Sequence, residues 1–153
     1  MNKILRSLRI SHVLFLLIAI STILFALEYI NFKDYSKIKI QNKFLYITHE
    51  EYSEENTLYT GSKSYLGIPV CLLTSFEYDS ERPVIGTDEF TKETDIIWID
   101  RNLRVVDIKN SVQPCNTNPC TRIASQKRVK YLLFAPNNWT TENNIQTGDV
   151  VSL

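Results

Sequence analysis

Cys115 and Cys120 enclose four residues in the stretch PCNTNPC, and that spacing is the clearest chemical signal in the chain. In an oxidising compartment the two thiols can bridge. A loop this short gains little chain entropy from closure, so a bridge would chiefly fix the loop's shape. One rival reading is a redox pair, but such pairs usually sit at CxxC spacing on a helix start, which is missing here. Zinc is the other rival. Cys71 and His49 would complete four ligands, yet the spacing matches no zinc module. Cys71 lies inside the apolar run IPVCLLTSFEY and reads as a small buried hydrophobe.

Asp95, Asp100 and Asp107 are the candidate acids and bases. A general acid/base pair needs two groups facing one pocket. Asp95 precedes an apolar strand, where its carboxylate can accept backbone N–H groups from a neighbouring loop. Asp100 opens a turn that its side chain can brace. His12 sits at the edge of an apolar run, which leaves His49 as the sole histidine for chemistry, and no nucleophile motif surrounds any serine. The four glycines are scattered singly, so there is no phosphate-cradling loop, and no motif calls for a cofactor. Asn138-Trp139-Thr140 is an N-glycosylation sequon, accessible only if that part of the chain lies outside the membrane. Trp98 and Trp139 could line a sugar-type groove; core packing for Trp98 and a contact at a helix start for Trp139 are the simpler roles.

These residues are positioned by a chain with two distinct parts. Lys3, Arg6 and Arg9 precede an uncharged apolar stretch, and residues 10–27 are long enough to cross a bilayer at 1.5 Å per residue. Basic residues before the span favour a cytoplasmic N-terminus, which puts the rest of the chain outside. A cleaved signal peptide is the alternative, although LFALEY offers a poor cleavage site. The expected organisation is an anchor or signal over 1–30, a short stalk over 31–42 and a domain over 43–153. The whole chain has 17 basic and 17 acidic residues; without Lys3, Arg6, Arg9 and Glu28 the remainder has 14 and 16. That balance excludes the basic footprint of a nucleic-acid binder.

Short alternating segments punctuated by turn residues fill the second part. KIKIQNKFLYITHE alternates as strands do, with Ile38 and Ile40 on one face. EEYSEEN reads as an acidic surface loop or short helix, and TGSKSYLG and DSERPVIGTDEF as turns, Pro83 and Gly86 breaking regular structure. In DIIWID, Ile96 and Trp98 face one side and Ile97 and Ile99 the other, so the strand is apolar on both faces and buried on both. KRVKYLLFAP is a further strand, and NNWTTENN a short helix with Asn137 or Asn138 as N-cap. The fold class is mainly β: a compact antiparallel barrel- or sandwich-like domain with one or two short helices, preceded by a transmembrane helix.

The order DIIWIDxNxRVV, PCxxxxC, VKYLL and NIQTGDVV resembles domain-of-unknown-function family 192. The resemblance covers 95–153 closely and 66–90 loosely. It implies a compact mainly β domain, with the short helix preceding the closing Gly-Asp turn, and carries no established reaction. Asp95 and Asp100 match the acids flanking the family's apolar strand, and Pro114, Cys115 and Cys120 match a cysteine-bearing variant of its next loop. Gly148 and Asp149 match its closing turn. The chain departs where the family carries Met-Lys-Asn-Thr: here stand Thr87, Asp88, Glu89 and Phe90, with Glu93 in place of a proline.

Two functional classes follow. One is a membrane-anchored extracytoplasmic module held in the lipid bilayer by residues 10–27, which binds an external ligand or protein without catalysis; an assembly role in the envelope is a close variant. The other is a small carbohydrate-active or hydrolytic enzyme using the carboxylates near the central hairpin. Convergence of Asp95 and Asp100 in an open pocket would favour the enzyme.

Overall fold

The computed structural model describes residues 13–24, 26, 35–51, 63–65, 68–76, 83–117 and 119–153. The chain divides into two compact units, Met1–Tyr35 and Ser36–Leu153. In the first, residues 13–24 form a helix, α1. Its apolar side chains are exposed, Phe15 most of all at 76%. Among the described residues no helix is long and apolar enough to cross a membrane. At 1.5 Å per residue α1 is about 18 Å long, and residues 10–12, 25 and 27 of the expected span lie outside the described residues.

The second unit is mainly β. Its strands are β1 (Ser36–Ile40), β2 (Lys43–Glu51), β3 (Lys63–Tyr65), β4 (Ile68–Ser75), β5 (Val84–Gly86), β6 (Thr94–Ile99), β7 (Val105–Val112), β8 (Arg122–Ala124), β9 (Tyr131–Pro136) and β10 (Val151–Ser152). A 3₁₀ turn covers Thr87–Glu89, and a short helix, α2, covers Trp139–Glu142. Most strands form one sheet in the order β10-β1-β2-β4-β9-β6-β7, with β3 added on β4; β5 and β8 make a separate ribbon. The sheet curls until the ends of its path meet. Arg104 bridges Val150, Val105 donates its N–H to the Asp149 carbonyl at 2.9 Å, and Val151 donates to Leu103 at 2.8 Å.

Alternation along the strands creates two cores. Ile38, Ile40, Leu45, Ile47, Cys71, Leu73, Ile97, Ile99, Leu133, Ala135 and Val151 pack on one face, drawn from every strand of the path except β7, which adds Val105. On the other face Ile96 and Trp98 join Phe76, Ile85, Phe90, Val112, Val129, Leu132 and Phe134, with Ile123 of the ribbon against them. All six residues of β6 are buried, as its two-sided apolar pattern requires.

Three expectations are corrected. The domain is not wholly antiparallel: β2 and β4 run parallel, Tyr46 beside Val70 and Glu51 beside Ser75. A parallel neighbour needs a crossover of a dozen or more residues, and the 16 residues between Glu51 and Ile68 supply it. Residues 36–42 are no stalk, because Ile38 and Ile40 are fully buried and β1 pairs with both β2 and β10. Val84–Gly86 is a strand despite Pro83 and Gly86, since Pro83 lies just before it and Val84 and Ile85 are β-formers paired with β8. Of the acidic loop EEYSEEN, residues 52–56 lie outside the described residues.

Candidate functional site

Asp95 is completely buried, and both its oxygens are occupied. Oδ1 accepts the backbone N–H of Ser111 at 2.9 Å and of Asn138 at 3.1 Å. Oδ2 accepts the N–H of Thr140 at 2.9 Å and its hydroxyl at 2.5 Å. Two local features aim these donors. Thr94 pairs with Val112 but Ile96 with Lys109, so Asn110 and Ser111 together oppose Asp95 in a bulge. Ser111 there has φ of 51°. Asn138 occupies the N-cap position of α2 but with left-handed backbone and no capping side-chain bond. The orphan N–H groups of the first turn are met instead by Asp95, from another strand.

Asp100 also has a structural role. Its Oδ1 accepts the N–H groups of Asn102 at 2.8 Å and Arg104 at 2.9 Å, bracing the turn between β6 and β7. The two acids sit at opposite ends of β6, about 16 Å apart at strand rise. They do not converge, so the acid/base pair of the enzymatic reading does not form between them.

Cys115 and Cys120 face each other with their sulfurs 2.23 Å apart, at disulfide distance. Cys71 is remote from them in the core, where burial pushes its thiol pKa up to about 12. His49 is exposed on β2. The zinc set considered from sequence therefore does not assemble, and among the described residues no three His, Cys, Asp or Glu group to hold a metal. Trp98 packs in the core, and Trp139 is partly buried at the start of α2. The Asn138 side chain accepts the Ser111 hydroxyl at 3.0 Å.

Open space lies elsewhere, along β8. A cleft of about 300 Å³ runs between β7 and the ribbon, lined by Trp98, Asp107, Lys109, Thr121, Arg122 and Ile123. A second, of about 460 Å³, opens on the cysteine loop, with Asp88, Asn116, Thr117 and again Arg122 in its walls. The register explains the grouping. Asp107 pairs with Trp98 and Lys109 with Ile96, so both polar side chains share a face with Trp98. Thr87 ties the parts together. Its N–H and hydroxyl both donate to the Thr121 carbonyl at 3.0 Å, and its own carbonyl accepts the Cys115 N–H at 2.9 Å. Glu93, further along that segment, accepts side-chain N–H groups of Gln113 and Asn137.

Among the described residues one buried atom of this region lacks a partner. The Nε1 of Trp98 makes no hydrogen bond with any of them, a deficit that typically costs about 1–3 kcal/mol. Sequence reasoning singled out Trp98 and Asp107 but missed Lys109, Thr121 and Arg122. The β7 pair could have been found from its alternation opposite Trp98. Arg122 carries no local signal, because a three-residue ribbon strand delivers it.

Comparison with known proteins supports this architecture. No curated protein matches the chain in sequence. A crystal structure of a protein of unknown function from Novosphingobium aromaticivorans is similar with a TM-score of 0.63 at 12% identity, over 78% of this chain and 85% of that one. A candidate transcription regulator from Sinorhizobium meliloti is similar with a TM-score of 0.62 at 14% identity, over 78% and 95%. At such identities the likeness is one of fold. The profile of DUF192, described as "Uncharacterized ACR", matches residues 73–153, more than half of the sequence. This chain belongs to the domain-of-unknown-function 192 family.

Proposed function

We propose that the chain is a membrane-anchored module whose β domain lies outside the cell and binds a small ligand or a protein partner at the clefts around Arg122, without catalysis of its own. The observation that carries the binding reading is a division of labour among polar residues. Asp95 and Asp100 are spent on backbone N–H groups. Lys109 and Arg122 line open clefts and make no ion pair or side-chain hydrogen bond with the described residues. Anchoring is supported by the charge-free stretch 10–27 behind Lys3, Arg6 and Arg9, and by the exposed apolar side chains of α1.

Two measurements test the proposal. Carbonate washing of cell membranes should leave the chain in the pellet, and an impermeant amine-reactive reagent should label it on intact cells. Release by carbonate, or labelling only after lysis, would overturn the anchored topology. Substituting Arg122→Glu should abolish binding of a partner captured by the full chain while leaving thermal stability unchanged. Retained binding would move the site away from these clefts.

A further inference from the structure

We infer that the cleft between β7 and β8 takes a small hydroxylated oxyanion, a sugar acid or sugar phosphate in chemical class. The inference rests on the binding reading above and specifies its ligand. Trp98 is the key. In the core it belongs to a cluster with Phe76, Ile85, Val129 and other apolar side chains, which offer no acceptor. Trp98 also forms part of the cleft wall, the side from which a bound ligand can offer its Nε1 an acceptor. Lys109 from β7 and Arg122 from β8 flank the same cleft with no side-chain partner among the described residues, and a guanidinium and an ammonium together favour an oxyanion. Asp107 reverses the requirement at one point. Its Oδ1 accepts the Ile108 N–H at 2.9 Å, and the other carboxylate oxygen is an acceptor needing a hydroxyl or amine on the ligand. In the adjoining cleft, reached past Arg122, Asp88, Asn116 and Thr117 extend the same preference for hydroxyl groups. A bare anion would leave these acceptors unused, and a neutral polyol would leave the two cations unused.

The test reads the orphan donor directly. Full-length chain, ¹⁵N-labelled at tryptophan and arginine and held in a polyoxyethylene detergent free of sugar and phosphate, gives two indole N–H signals, assigned with Trp139→Phe. Glucuronate and glucose 6-phosphate should shift the Trp98 signal downfield and saturate. Glucose and inorganic phosphate should bind at least tenfold more weakly, and Lys109→Gln or Arg122→Gln should weaken glucuronate or glucose 6-phosphate at least tenfold. Preference for only one of these two would identify the oxyanion. Equal binding of glucose would overturn the oxyanion, and equal binding of phosphate the hydroxylated class; in either case the cleft would still be a binding site. Shifts at Arg122 that leave Trp98 unmoved would overturn the inference alone. If no probe moves either residue, the inference falls, and the binding reading is decided separately by Arg122→Glu.

Discussion

The Asp95 carboxylate caps a helix to which it is not attached: its Oδ2 receives both the backbone N–H and the hydroxyl of Thr140, 45 residues along the chain. Strand β6, the bulge of β7 and helix α2 are thereby fastened at one buried point. Hydrogen bonds to a charged group contribute about 1.5–3 kcal/mol each. Replacing Asp95 by Asn puts an amide N–H₂ against two donors and should cost at least about 3 kcal/mol in urea unfolding. Thr140→Val should cost about 1–2 kcal/mol. The double variant should lose less than the sum by at least about 1 kcal/mol; additive losses would show that the two residues act separately.

The cysteine pair should contribute modestly to stability. Closing so short a loop is worth about 2 kcal/mol by the chain-entropy relation. Reductant should therefore lower the unfolding free energy of the native chain by no more than that amount, and Cys115→Ser with Cys120→Ser should do the same. Three free thiols titrated in the denatured chain without reductant would show that the pair is not bridged in solution.

Legibility in the sequence followed the range of the forces involved. The two-sided strand Ile96–Ile99 was readable because period-2 alternation is local, and so was the Asp100 turn, whose hydrogen bonds reach two and four residues ahead. The direction of β2 beside β4 was not readable, since it depends on how a 16-residue crossover returns. The same holds for the site. Asp95 was recognisable as an acceptor for backbone N–H groups, but its partners come from β7 and α2. The family-matching residues Asp95, Asp100, Gly148 and Asp149 all hold turns or elements together. Gly148 adopts φ of 99°, and Asp149 accepts the Gln146 N–H at 2.7 Å and the Gln41 side-chain N–H at 2.6 Å. Asp88, from the segment that departs from the family, faces open space instead.

Cys71 predicts a dependence on alkaline pH. Its thiol moves from 9.0 to about 12 through burial. The unfolded chain therefore loses this proton first, and the neutral thiol's contribution is complete below pH 9 and lost as pH climbs from about 9 towards 12. Cys71→Val should flatten that slope in unfolding curves taken across the interval. In the native chain at pH 8 the thiol should resist alkylation, then react once on denaturation without reductant; rapid native alkylation would show that the core opens there.

The sequon at Asn138 has a structural origin that bears on its modification. Thr140, its third residue, is 1% exposed and bound to Asp95, so this threonine serves the fold whether or not sugar is attached. A glycosylating enzyme that engages the Thr140 hydroxyl can do so only before α2 docks. We therefore propose that any glycan is added during synthesis, and that the folded chain is not a substrate. Asn138→Gly separates the two roles. Glycine adopts the observed φ of 62° without strain, keeps the backbone N–H that Asp95 accepts, and removes the acceptor side chain. Stability should change by less than about 1 kcal/mol, while the intact mass of chain produced in a glycosylating host should fall by one glycan. An unchanged mass would show that Asn138 carries none, and the sequon would then record only the needs of Asp95.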